Sequence, residues 1–243
     1  MATCRNPGSC PELAELPGVL ALPLDVTLPE SIETAVTRIV SEFGQIDVLV
    51  NNAGYGVDGI FEAMTDPAIA RQFETNVFGL MRVTRAVLPQ MRSQRRGTII
   101  QISSMGGRTT FPLYSIYHGS KWAVEGFSES LAFELRPLGI RVKLIEPGAV
   151  QTDFYHRNRE TVPPEQLHEY ETIFQRCEQI SMKEAQRGCS AEVVAKVIYR
   201  AAVDRSGRLR YPAGRQALFL LRLRRLLPES VFMRLIRHVY GIH

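Results

Sequence analysis

Ser104, Tyr117 and Lys121 have the residue types and spacing for moving a proton to or from an oxygen atom. Tyr117 stands thirteen residues after Ser104 and four before Lys121. Positions four apart on a helix share a face, so a helix through this stretch aims Tyr117 and Lys121 into one site. An ammonium beside a phenol favours the tyrosinate. Moving a tyrosine pKa from about 10 toward 7 takes on the order of 4 kcal/mol, within reach of one desolvated cation helped by a cofactor charge. The outcome is a general acid near neutrality. An amphipathic helix also produces such a pair by accident, so the reading rests on its surroundings.

Those surroundings are strand, turn and helix. Apolar and small residues recur through Tyr114, Tyr117, Ala123, Val124, Phe127 and Leu131 to Leu135, and Pro137 ends the run, which predicts a helix. Ile99 to Ile102 reads as a short buried strand. The following Ser103-Ser104-Met105-Gly106-Gly107 puts hydroxyls and pliable backbone at its carboxyl end, where open parallel sheets bind ligands. Further strands are predicted at Met1 to Cys4, Val19 to Leu24, Ile46 to Asn51 and Arg141 to Ile145. Helices are predicted at Pro29 to Phe43, Pro67 to Met91 and Ala191 to Ala202, and basic amphipathic segments at Gly214 to Leu227 and Glu229 to Tyr240.

The segment Ser104 to Lys121, with Asn51-Asn52-Ala53-Gly54 and Pro147-Gly148 around it, resembles the short-chain dehydrogenase/reductase family, and within it the retinol and hydroxysteroid dehydrogenase-like members. The resemblance runs from Met1 to about Ala202. It implies a doubly wound, Rossmann-like α/β fold with a parallel sheet in one domain, 1–243. It also implies an NADP-dependent oxidoreductase, with NAD as the alternative cofactor, moving hydride between nicotinamide and the carbonyl or alcohol of a fairly apolar small molecule. By the same resemblance Ser104 polarises the carbonyl, Tyr117 transfers the proton, Lys121 tunes Tyr117 and holds ribose, and Asn76 bridges water to the lysine. Cofactor contacts fall on Arg5, Asp25, Val26, Asn52, Ala53, Gly54, Tyr117, Lys121, Pro147, Gly148 and Thr152. Several of these have plain alternatives: Arg5 as an exposed turn residue, Asp25 as a helix cap, Asn76 as a solvent-facing or locally bonded amide, Thr152 as a helix cap or turn residue.

One departure stands out. The family places a strand, a glycine-rich turn and a helix, together roughly thirty residues, before the strand predicted at Met1. No glycine-rich segment precedes residue 51. Gly54, Gly56 and Gly59 imitate the fingerprint, but they do not open a helix directly. The expectation is a truncated N-terminus: a domain lacking its first βα unit, with a gap of about 10 Å in the sheet and a weakened hold on pyrophosphate. That leaves a second reading, a non-catalytic member that binds cofactor poorly or acts only as a partner subunit.

Composition sets outer bounds. With 243 residues, 45% hydrophobic and 22% charged, the chain suits a single globular domain. Cys4, Cys10, Cys177 and Cys189 show no metal-ligand spacing and fit a reducing, cytoplasmic location; His118, His156 and His168 form no metal pattern and receive no role. The net charge of +4 is spread along the chain with some concentration near the carboxyl end, and no nucleic-acid motif accompanies it. The apolar run Ala217 to Leu227 is interrupted by Arg222, Arg224 and Arg225 and is too short and charged to span a bilayer. Residues 151–190 read as a lid over the site, in which Phe154, Tyr155, Tyr170, Ile173, Phe174, Ile180 and Met182 either line an apolar cavity or pack on the body. The tail, 214–243, is basic and amphipathic, suited to its own domain, to a membrane surface or to a second subunit in a homodimer.

Overall fold

The structure is a computed structural model that describes residues 1–9, 11–152 and 158–242. In chain order its main elements are β1 (Ala2–Cys4), α1 (Pro11–Ala14), β2 (Ala21–Pro23), α2 (Pro29–Phe43), β3 (Val48–Asn51), β4 (Gly56–Gly59), α3 (Asp66–Phe73), α4 (Leu80–Gln94), β5 (Gly97–Ile102), α5 (Ser115–Leu135) and β6 (Ile140–Pro147). Then follow β7 (Val150–Gln151), β8 (Arg159–Val162), α6 (Glu171–Gln186), β9 (Cys189–Ser190), α7 (Ala191–Val203), β10 (Arg210–Ala213), α8 (Arg215–Leu226) and α9 (Glu229–Tyr240). Among the described residues no helix is long and apolar enough to cross a membrane.

Aliphatic runs make the main sheet because they can be buried on both faces, as a parallel sheet requires. Its order is β10-β6-β5-β3, every pair parallel. Successive side chains alternate across it. Ile99 and Val142 join Val87, Met91, Leu131 and Leu135 under α4 and α5, while Ile100 and Ile145 meet Ala201 and Tyr211 on the α7 side. Helices therefore cover both faces, as the doubly wound expectation requires. β1 pairs with β2 in a second, separate parallel sheet. Among the described residues β5 is the strand partner of β3, and Val48 and Val50 of β3 are 40% and 38% exposed.

The long helix predicted from Pro67 is present but not uniform. Thr65 caps its start, accepting a hydrogen bond from the Ala68 N–H, and Pro67 occupies the first turn, where its missing donor costs nothing. Between α3 and α4 the chain widens into a π-turn, Glu74–Gly79, a distortion frequent at functional sites. A methyl at Gly79 would sit 2.7 Å from Val26 Cγ2, so glycine lets the chain leaving β2 lie against this turn. Leu28, not Asp25, occupies the cap position of α2; Asp25 Oδ1 instead accepts from the Thr27 N–H and hydroxyl at 2.9 and 2.7 Å.

The region 151–190 is tied to the body by charge. β8 pairs with β4, and Arg159 is bidentate to Asp58 at 2.6 Å while also reaching Glu178 of α6 at 2.6 Å. Arg159 and Asp58 are almost fully buried. On α6, Cys177, Ser181 and Ala185 form the buried row, with Ile173, Phe174, Ile180 and Met182 half-buried and Tyr170 hydrogen-bonded to Glu62. Of the residues expected in the lid or set aside above, Phe154, Tyr155, His156 and Cys10 lie outside the described residues.

Candidate functional site

The carboxyl ends of β3, β5 and β6 meet the amino-terminal half of α5, and this is where the predicted residues gather. Tyr117 and Lys121 share one face of α5, with the Lys121 Nζ 5.8 Å from the centre of the Tyr117 ring. Nζ donates to the Ile102 carbonyl at 2.9 Å, which fixes the ammonium at the carboxyl end of β5. Lys121 is buried, and burial pulls its pKa down to about 8 against the opposing effect of the Glu125 carboxylate one turn further on. It is therefore still largely cationic at neutral pH.

Ser104 leaves β5 in extended backbone and opens the turn Met105–Gly107, its Oγ accepting from the Gly106 N–H at 3.0 Å. Two glycines let that turn lie flat on α5. A methyl at Gly106 would come 2.5 Å from His118 Cδ2, and one at Gly107 would come 2.7 Å from Ser103 Oγ and 2.8 Å from Glu125 Cγ. His118 and Ser104 Oγ thus both border the space that a side chain at position 106 would occupy. The His118 Nδ1 accepts from the Phe111 N–H at 3.4 Å, which leaves the proton on Nε2, and burial lowers its pKa to about 4. The ring is thus neutral, and it stacks near Tyr117, Tyr114 and Phe111 with centroid separations of 5.9, 5.5 and 5.6 Å.

Asn76 sits in the π-turn with its amide spent on the backbone. Its Oδ1 accepts from the Tyr55 N–H at 3.0 Å, and its Nδ2 donates to the Tyr55 carbonyl at 2.9 Å and to Ser120 Oγ at 3.3 Å. Gln72 joins it, donating to the same carbonyl and accepting from the Val57 N–H at 2.6 Å. Together they clamp the chain after Gly54 and tie it through Ser120 to the Tyr117 carbonyl. The alternative of a solvent-facing amide does not hold, because Asn76 is 1% exposed. A methyl at Gly54 would lie 3.1 Å from Asn76 Oδ1 and 3.9 Å from Lys121 Nζ, so Gly54, Asn76 and Lys121 are neighbours.

The other expected cofactor contacts are more dispersed. Asn52 and Ala53 are exposed just beyond β3. Pro147 ends β6, and Gly148 turns the chain toward Gln216, its N–H bonded to the Ala213 carbonyl. Thr152 is exposed, its N–H bonded to the Val150 carbonyl. Arg5 is exposed just past β1; with the Thr27 hydrogen bonds it helps hold the Asp25 carboxyl below its usual range. Gly54, Lys121 and the exposed Asn52 and Ala53 fit the nicotinamide and ribose end of a dinucleotide. Among the described residues the chain after β1 offers the phosphates Arg5, a short turn at Pro7–Ser9 and the single helical turn of α1.

Glu125 and Glu146 are a feature that sequence reasoning missed. Both carboxylates are buried beside the Ser103–Gly107 turn, and neither Glu125 Oε1 nor Glu146 Oε2 has a hydrogen-bond partner among the described residues. Burial, reinforced by Glu125, raises the Glu146 pKa to about 7 despite Arg108 at 3.4 Å and Arg210 at 3.9 Å. The signal available in sequence was the spacing of four from Lys121 to Glu125; Gln72 to Asn76 has the same spacing.

Comparison with known proteins agrees with this geometry, because the short chain dehydrogenase family matches residues 9–163. The chain belongs to that family. An uncharacterized oxidoreductase of Schizosaccharomyces pombe is 38% identical over 238 residues, covering 98% of this chain and 100% of its own length. A 3-ketodihydrosphingosine reductase of Bacteroides thetaiotaomicron is 38% identical, covering 92% and 84%, and retinol dehydrogenase 8 of Bos taurus is 43% identical, covering 54% and 41%. A short-chain dehydrogenase structure from Streptomyces avermitilis superposes with a TM-score of 0.82 at 33% identity, covering 96% of this chain and 84% of that one. An NAD+-bound xylitol dehydrogenase and ElxO with NADP bound follow at TM-scores of 0.71 and 0.69, with 27% and 26% identity; they cover 87% and 86% of this chain and 86% and 85% of their own. This short-chain dehydrogenase is accordingly an oxidoreductase acting on CH–OH or C=O groups of small molecules.

Proposed function

We propose that this short-chain dehydrogenase is an NADP(H)-dependent oxidoreductase of fairly apolar carbonyls and alcohols, with Tyr117 as proton donor, Ser104 as carbonyl hydrogen-bond donor and Lys121 as the cation that tunes Tyr117. The observation that carries the reading is the buried ammonium of Lys121 held at the end of β5 beneath the Tyr117 ring. A nicotinamide dinucleotide, when bound, supplies the hydride chemistry that side chains lack. The chain's own part is to orient the carbonyl and deliver or take its proton. Asn76 and Gln72 act as positioning residues, holding the Tyr55 backbone and, through Ser120, the first turns of α5. Arg5 supports NADP over NAD, because a guanidinium suits a 2′-phosphate. Support for an apolar substrate comes from the names of two relatives, a 3-ketodihydrosphingosine reductase and a retinol dehydrogenase, and from half-buried Ile173, Phe174, Ile180 and Met182 on α6, the helix that hydrogen-bonds to Tyr114 through Ser181. Free thiols at Cys177 and Cys189 suit a reducing, cytoplasmic setting.

The separation of the β1–β2 pair from the main sheet favours a second reading, in which the reactive end is intact but the dinucleotide is held poorly. Titrating the full chain against NADPH and NADH by nicotinamide fluorescence distinguishes the two. Saturable binding with NADPH preferred, followed by faster turnover of steroid-like, retinoid-like or long-chain ketones than of sugars, supports the first. Absence of saturable binding to either cofactor supports the second.

A further inference from the structure

The net positive excess of this chain lies in its last thirty residues. From Gly214 onward there are six arginines, Arg215, Arg222, Arg224, Arg225, Arg234 and Arg237, and one acid, Glu229. The remainder holds 23 basic and 24 acidic residues, so the entire positive excess belongs to α8 and α9. Arg224 is engaged by Glu229 at 3.7 Å and by the Phe232 ring. The other five are exposed and carry no ion pair among the described residues. A protein that needed these charges for its own fold would have paired them.

The same helices expose large apolar side chains beside those charges. On α8, Phe219 and Leu226 are 64% and 79% exposed, and they flank Arg222 on the side opposite buried Ala217 and Leu221. On α9, Phe232 and Tyr240 are buried, whereas Val231, Leu235 and Val239, four residues apart in succession, form an exposed row next to Arg234 and His238. Apolar rows interleaved with unpaired arginines match the two layers of an anionic lipid surface: acyl boundary for the former, headgroups for the latter.

We propose that α8 and α9 form a docking face for an anionic lipid bilayer. The face is joined to the site by packing: Tyr240 of α9 lies against Phe111 at 6.4 Å, Phe111 against His118, and His118 against Tyr117. A neutral or acidic protein partner, or a second copy of this chain, is the competing occupant. The second copy is the poorer match, because five unpaired arginines on each copy would face one another.

The test is co-sedimentation of the full chain with phosphatidylcholine vesicles and with phosphatidylcholine–phosphatidylserine vesicles, at low and physiological salt, alongside its mass in solution. The expected result is binding to the phosphatidylserine vesicles that salt weakens, with roughly a fivefold loss of affinity for each arginine removed in Arg222→Gln and Arg225→Gln. Phe219→Ser/Leu226→Ser should lose at least about tenfold, and its thermal melt should match wild type because both side chains are exposed. Should that variant fail to fold, Val231→Ser/Leu235→Ser tests the second row independently. Equal binding to both vesicle types, no binding to either, or a dimer that Phe219→Ser/Leu226→Ser converts to monomer would overturn the proposal.

Discussion

Lys121→Met separates what the fold requires from what the site requires. The wild-type ammonium is 7% exposed, and burial brings its pKa from 10.5 to about 8. A fall of that size corresponds to about 3 kcal/mol. Between about pH 8 and pH 10.5 the unfolded chain holds this proton and the folded chain does not, so this group makes stability rise with pH across that window. Below about pH 8 the full penalty applies. Methionine removes the penalty but leaves the Ile102 carbonyl without its donor, a loss on the order of 1–3 kcal/mol. The variant should therefore lie within about 2 kcal/mol of wild type near pH 7, and should lose about 2–3 kcal/mol relative to wild type on going to about pH 10. Urea denaturation followed by Trp122 fluorescence measures both. Trp122 is the single tryptophan and adjoins the mutated position. Other titrating groups largely cancel in this double difference. If the gap between variant and wild type did not change with pH, the description of Lys121 as a buried, proton-shedding lysine would be wrong.

Three further outcomes follow from the same structure. Glu146→Gln should raise the melting temperature near pH 8 and leave it unchanged near pH 5: the folded carboxyl titrates at about 7, so its ionised form penalises the fold as pH rises from about 4.5 through 7; equal effects at both pH values would argue against the buried pair. Arg159→Met should cost about 3–5 kcal/mol in chemical denaturation because it strands Asp58 without its cation, and a loss below about 1 kcal/mol would mean that Asp58 is solvated. Arg5→Asp should move the ratio of kcat/KM values from NADPH toward NADH, and an unchanged ratio would remove Arg5 from the cofactor site.

Local order was largely legible in the sequence. The bounds Pro29–Phe43 and Glu229–Tyr240 follow from a proline at one start and glycine after both ends, and the Tyr117–Lys121 pair follows from helical spacing alone. What escaped depends on contacts distant in sequence. The π-turn at Glu74–Gly79 preserves enough apolar spacing to look like continuous helix, yet it determines that Asn76 faces Tyr55. Asp58 and Arg159 are separated by about a hundred positions, and nothing local marks them as partners. The neutral state of His118 and the high pKa of Glu146 come from burial, which depends on how α5 meets the Ser103–Gly107 turn rather than on neighbouring residues.

In the proposed function Tyr117, whose ring lies over the buried Lys121 ammonium, moves the substrate proton through its hydroxyl. The most direct measurement is NADPH consumption by the full chain with an apolar ketone, comparing wild type with Tyr117→Phe, each also titrated with NADPH by fluorescence. The variant should keep its fold and its cofactor affinity while turnover falls by about 10² to 10⁴. A Tyr117→Phe protein that reduced the ketone at the wild-type rate would contradict that role.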